Sequence, residues 1–236
     1  MAETLLLLPG MMCDARVFGD QILEFNGDRA VQLPAIFDDG SIAAMARSVL
    51  NAAPRQFALV GHGLGAVVAM EIFRQSPDRV SRIALMSCTP LAETPTSAAA
   101  REARIVAARA GRLVDAMHDE VPGDSLAPGP ERAQVQAALD AMAAAIGPEI
   151  FTRQSRAMQR RPDQQKVLRQ LRVPALILCG AHDIVTPPKR HEFIAGMIPN
   201  AELRVLENAG HMPMMETPAA VTAALRDWLA MPYRLV

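Results

Sequence analysis

Short, continuous apolar runs punctuate the chain at Leu5–Leu8, Phe57–Val60, Ile83–Met86 and Ala175–Cys179. A weaker run lies at Leu203–Leu206 and a minimal one at Val31–Leu33, and each run is bounded by Gly, Pro or polar residues. Runs of this length without polar alternation predict strands buried on both faces, hence a parallel sheet. Between them the period changes. From Ser41, the residues Ile42, Met45, Ala46, Val49 and Leu50 recur at i, i+3, i+4, i+7 and i+8, one stripe of an amphipathic helix. Val67–Arg74 predicts a helix buried on most sides and ended near Pro77. Thr217–Leu229 predicts a last helix, with Pro218 tolerated in its first turn. Strands alternating with helices predict an α/β fold with a mostly parallel sheet.

The middle of the chain breaks that rhythm. Residues 91–165 contain no strand pattern and are rich in Ala, Arg, Met and Glu, with breaks at Pro122-Gly123, Pro128-Gly129-Pro130 and Gly147-Pro148. Three or four amphipathic helices are expected there, inserted between two strands, so that residues 1–90 and 166–236 form one core. The simplest reading of the many arginines is a solvated helix face.

Composition narrows the class. The chain has 236 residues, half of them hydrophobic, and a formal net charge of −1. That suits one sizeable core and gives no basic footprint for nucleic acid. The opening MAETLLLLPG carries an acid where a secretory leader has basic residues. Its four leucines are too few for a leader's apolar region or a membrane span. Cys13, Cys88 and Cys179 are scattered and odd in number, which argues against a disulfide framework or a metal site. A soluble, cytoplasmic monomer or homodimer is expected, with no metal.

The stretch FALVGHGLGA, residues 57–66, carries the chemistry. Gly61, Gly63 and Ala66 fit the dinucleotide pattern G-x-G-x-x-[G/A]. That pattern needs an acid about 20 residues on, at the end of the next strand, to hold a ribose hydroxyl. The strand end here reads IALMSCTP and has none, and the loop follows the third predicted strand instead of the first. No nucleotide cofactor is therefore expected. The same stretch fits a nucleophile elbow, G-x-S-x-G, with Gly63 where serine would stand. Asp183 follows the strand PALILCG, and His211 lies in the loop LENAGHMPMMETP. Nucleophile position, acid and histidine thus follow three strands in the order that this chemistry requires. The early loop PGMMCD offers the Met11 N–H, with Met12 as the alternative, as one oxyanion donor. The Leu64 N–H, at a helix start, offers the other.

These segments, LLLLPGMMCDARVF, FALVGHGLGA, PALILCGAHDIVTPP and ENAGHMPMMETPAAVTAALRDWL, resemble the α/β-hydrolase superfamily in its short esterase-like branch with a helical cap. The resemblance covers nearly the whole chain. It implies Asp183 and His211 as triad members, Met11 and Leu64 as oxyanion donors, and a lid formed by residues 91–165. It also implies that His62 packs under the elbow. Two departures stand out. The family's acidic, glycine-rich loop is here LPAIFDDGS, and the usual GHSLGG is GHGLGA.

Without a serine oxygen no acyl-enzyme forms at position 63. The chain then reads either as an ester, thioester or lactone hydrolase silenced or weakened by Gly63, or as a serine-free relative using His211 for lyase or acid–base chemistry, or as a small-molecule binding module. Cys13, Ser87 and Cys88 are the other candidate nucleophiles near the loops. Met11, Met12, Met212, Met214 and Met215 cluster around them, and Met12 and Met212 are the expected contacts to a small, apolar substrate.

Overall fold

The computed structural model describes residues 2–37 and 40–232. Asp38 and Asp39, in the loop LPAIFDDGS, lie outside the described residues. Each apolar run becomes a strand: β1 (Thr4–Leu8), β2 (Val31–Gln32), β3 (Phe57–His62), β4 (Val80–Met86), β5 (Ala175–Gly180) and β6 (Ala201–Leu206). They form one sheet in the order β2-β1-β3-β4-β5-β6, with every pairing parallel.

Side-chain alternation divides each run between two cores. Leu6, Leu8, Leu59, Ile83, Leu85 and Ile177 face one core. Leu5, Leu7, Val60, Ala84, Leu176 and Leu178 face the other. Helices α2 (Ile42–Ala52), α3 (Leu64–Gln75), α8 (Gln165–Gln170) and α9 (Pro188–Ala195) cover the first face. Helices α1 (Gly19–Phe25), α10 (Pro213–Glu216) and α11 (Pro218–Ala230) cover the second. The α2 stripe is buried as its period requires, and the Ser41 hydroxyl caps it by accepting from the Ala44 N–H at 3.2 Å. Burying both faces is what makes continuous apolar strands stable here.

Between β4 and β5 run α4 (Pro95–Arg109), α5 (Leu113–Glu120), α6 (Arg132–Ile146) and α7 (Pro148–Gln159). Their apolar faces join the sheet's own cores: Ile105, Met117 and Phe151 pack into one and Val135, Leu139 and Met142 into the other. Helix α3 begins three residues earlier than its apolar pattern, directly after Gly63.

Two glycines of the elbow are steric necessities. A Cβ on Gly61 would lie 2.5 Å from the Gly65 carbonyl oxygen, and one on Gly65 would lie 2.1 Å from that of Leu8. The start of α3 is therefore pressed against β1 and β3, and the elbow sits at the carboxyl end of the sheet.

Candidate active site

Every predicted site residue follows the carboxyl end of a strand, where open α/β sheets place their ligands. Gly63 connects β3 to α3 with φ 52° and ψ −116°, a conformation that side chains rarely adopt. Its N–H donates to the Met86 carbonyl at 3.0 Å, and its own carbonyl accepts from Ala66 and Val67 at 3.1 and 3.2 Å. The turn is held from both sides. A Cβ on Gly63 would meet only Gly10 Cα, at an ordinary 3.6 Å, so the site has room for a side chain.

His211 Nδ1 lies 3.0 Å from Asp183 Oδ2, and both residues are buried. The carboxylate accepts the Nδ1–H, which leaves Nε2 of the neutral ring as a base. Asp183 also accepts from the Thr186 N–H and hydroxyl, each at 2.8 Å. Burial raises the Asp183 pKa, but the His211 charge and hydrogen bond and the two Thr186 bonds outweigh it, and the result is lowered to about 2. Burial likewise pulls His211 down, yet the Asp183 charge and hydrogen bond prevail and the pKa moves up.

The histidine loop is clamped by residues that the sequence did not single out. The His211 N–H donates to the Ser125 carbonyl at 2.8 Å, so the inserted segment grips the loop directly. Glu216 accepts from the N–H groups of Gly210 at 2.9 Å, Met212 at 2.8 Å and Ala127 at 2.6 Å. A carboxylate three residues after Pro213, at the end of a helical turn, was the available signal. The His62 Nε2–H donates to the His211 carbonyl at 2.8 Å. Burial and the nearby His211 charge lower the His62 pKa to about 3, so this ring is neutral. His191 was also missed. Its Nε2 accepts the Cys88 N–H at 3.1 Å, and burial lowers its pKa to about 4.

A cavity of about 510 Å³ joins Gly63, Leu64, Met11, Met212 and His211 with residues of the inserted helices. Met12 is off this wall. It is fully buried in the core with φ 56°, and its N–H donates to Gln154 Oε1 at 2.9 Å. The expectation of a substrate contact at Met12 is therefore corrected. The Met11 N–H has no acceptor among the described residues, and the Leu64 N–H, first in α3, has none within its helix.

The other nucleophile candidates divide. Burial, then the Asp14 charge, pushes the Cys13 thiol up to about 12, and burial pushes the Cys88 thiol up further. Neither forms a thiolate near neutrality. Ser87 lines the cavity with φ 44°, and its hydroxyl has no partner among the described residues, His211 included. Among the described residues no cluster of three or more His, Cys, Asp or Glu is placed to hold a metal, and no helix is long and apolar enough to cross a membrane.

The sequence model of the alpha/beta hydrolase family matches residues 5–225. The chain belongs to that family. This hydrolase is 25% identical over 201 residues to a pimeloyl-[acyl-carrier protein] methyl ester esterase of Aromatoleum aromaticum, covering 79% of each chain. The fold closely matches a thermophilic esterase from Thermogutta terrifontis, with TM-score 0.86 and 24% identity over 97% of this chain and 90% of that one. It matches the enol-lactonase from Burkholderia xenovorans LB400 equally, with TM-score 0.86 and 19% identity over 98% and 92%. The hydrolase thus has a carboxylic ester hydrolase type of scaffold.

Proposed function

We propose that this hydrolase acts on an ester, thioester or lactone with a small apolar acyl group, and that Gly63 stands at the nucleophile position. The observation that carries the reading is the convergence of the His211–Asp183 pair, the Gly63 elbow and the Met11 loop on one cavity. In this reading Met11 and Leu64 N–H groups hold the carbonyl oxygen as it gains charge. Residues 91–165 act as the lid. Met11 and Met212 bring apolar, adaptable surface to the reacting carbon. No acyl-enzyme forms on Gly63. Turnover is left to water, which gives up a proton to His211 Nε2 as its oxygen adds to the carbonyl carbon. The same proton then leaves with the alcohol, thiol or ring oxygen. This route is slow, because a triad without its nucleophile keeps only about 10³–10⁴ over water. The three free, buried cysteines accord with a reducing, cytoplasmic setting.

The experiment is Gly63→Ser assayed on short p-nitrophenyl esters. A large gain in turnover supports the reading, and no gain overturns it. The intact His211–Asp183 pair beside a glycine favours a second reading, a serine-free enzyme that uses His211 for proton transfer. That reading requires His211→Ala to abolish turnover while Gly63→Ser brings no gain.

A further inference from the structure

The roof of the cavity is charged, although its floor is apolar. Three arginines of the inserted segment, Arg101 and Arg104 on α4 and Arg161 after α7, line it together with Glu93 and Glu120. These are not the solvated helix face that the sequence predicts. Side-chain exposure is 7% for Arg101, 16% for Arg104 and 7% for Arg161, against 5% for Glu93 and 13% for Glu120.

The pairing within this group is incomplete. Arg101 Nη1 donates to both Glu120 oxygens, at 2.9 and 3.0 Å, and its Nε lies 3.5 Å from Glu93 Oε2. Arg104 Nε lies 3.0 Å from Glu120 Oε2, and Arg161 pairs with Glu93. Both carboxylates are thus shared between two guanidiniums, and one positive charge is left over. The Nε groups of Arg101 and Arg104 are buried with no aligned acceptor among the described residues. Burial lowers the Arg161 pKa more than Glu93 raises it, whereas Glu120 and Glu93 together outweigh burial at Arg101 and raise its pKa. Asp183 does not make up the deficit, because it lies off the cavity wall and is engaged by Thr186 and His211. At the rim, exposed Asp119 faces solvent, and Arg190 has no ion pair among the described residues.

A buried, uncompensated charge is costly, and a wall that keeps one is built for a ligand that neutralises it. Arg101 also touches the oxyanion loop, with Nη1 3.7 Å from Met11 Sδ. We propose that the Arg101–Arg104–Arg161 wall is a subsite for a carboxylate carried by the substrate away from its scissile carbonyl. The substrate class is then a half-ester of a short dicarboxylic acid, or a lactone bearing a free carboxylate. This rests on the reading of the Gly63 cavity as an ester site and adds the second recognition point.

The unaltered chain suits the test, since Gly63 leaves bound ester largely uncleaved. Calorimetric titration with monomethyl adipate and with dimethyl adipate compares an anion with its neutral counterpart. The half-ester is expected to bind at least about 10-fold more tightly. Arg104→Gln should remove most of that advantage, with the melting temperature reporting that the variant is folded. Glu120→Gln should act oppositely and enlarge the advantage, because it frees a guanidinium. A merely structural role for the wall predicts no gain from Glu120→Gln. Equal affinity for the two esters, or an advantage that survives Arg104→Gln, overturns the proposal. If Gly63→Ser hydrolyses dimethyl adipate while the half-ester shows no advantage, the ester-site reading stands and the anion subsite alone fails. If neither ester binds, both fail.

Discussion

Placing a serine at Gly63 tests strain and chemistry in one substitution. Gly63 sits at φ 52° and ψ −116°, and a new Cβ there meets nothing nearer than 3.6 Å. The change therefore brings conformational strain without a clash. A side chain forced into such a conformation costs about 1–3 kcal/mol. Replacing glycine also restricts the unfolded chain, which returns about 0.4–1 kcal/mol. The net loss is about 1–2 kcal/mol, and for a domain of this size that lowers Tm by about 2–8 °C. The same substitution supplies the attacking oxygen beside a His211 already oriented by Asp183. Losing the serine of a triad costs about 10⁶ in kcat, so even an imperfectly placed oxygen should raise turnover by about 10² or more. The assay pairs calorimetric melting of both proteins with initial rates on p-nitrophenyl acetate and butyrate. A Gly63→Ser protein that melts higher than the parent would refute the strain argument. One that melts lower but gains no activity would refute the assignment of the elbow.

Four further outcomes follow from the same geometry. The turnover of Gly63→Ser should rise with pH, with a midpoint above 6.5, because the Asp183 partnership raises the His211 pKa above that ordinary value. With a raised folded pKa, the stabilisation from protonated His211 is complete below 6.5 and is lost as pH rises through the folded value. Melting of the parent and of His211→Gln should therefore converge in that direction. Gly65→Ala places a Cβ 2.1 Å from the Leu8 carbonyl oxygen, and the backbone overlap should destabilise by about 3 kcal/mol or more, read as a fall in Tm or in soluble yield. Glu216→Gln keeps the shape but removes the charge that accepts three N–H groups, and should cost about 2 kcal/mol, with faster amide exchange at Gly210 and Met212.

Legibility followed burial. The four strongest apolar runs became the four central strands because a doubly covered strand has no polar face, and their ends extended through residues such as Gly61, His62, Ser81 and Arg82 that interrupt the apolar signal. At the two edges the pattern faded. β2 keeps two residues, and β6 is only half-buried along its length, which is why Leu203–Leu206 read weakly. The inserted helices were legible as helices, but which of their charged residues face inward was not. Arg101 and Arg104 are turned inward by partners outside their own helix: Glu93 precedes α4 and Glu120 ends α5. An arginine drawn inward by a distant carboxylate has the same sequence signature as one in water. Glu216 escaped notice for a related reason, since its partners are backbone N–H groups, which every residue has.

The glycine stretch shows what a motif can hide when its glycines act for different reasons. Gly61 and Gly65 are fixed by space: any Cβ would enter the backbone of α3 or β1. Such close helix–strand packing is also what one glycine of a dinucleotide loop provides, so the two patterns converge. Gly63 is the opposite case. It has room for a side chain and is favoured there only by its φ, which a serine can adopt at a cost of about 1–3 kcal/mol. Substitution at Gly61 or Gly65 should therefore be read in stability alone, whereas substitution at Gly63 is the one change in this stretch that exchanges modest stability for chemistry. The elbow, the His211–Asp183 pair and the Met11 loop hold their places through contacts that do not involve a side chain at position 63. Under the proposed reading, a serine oxygen introduced there would meet a His211 already oriented by Asp183.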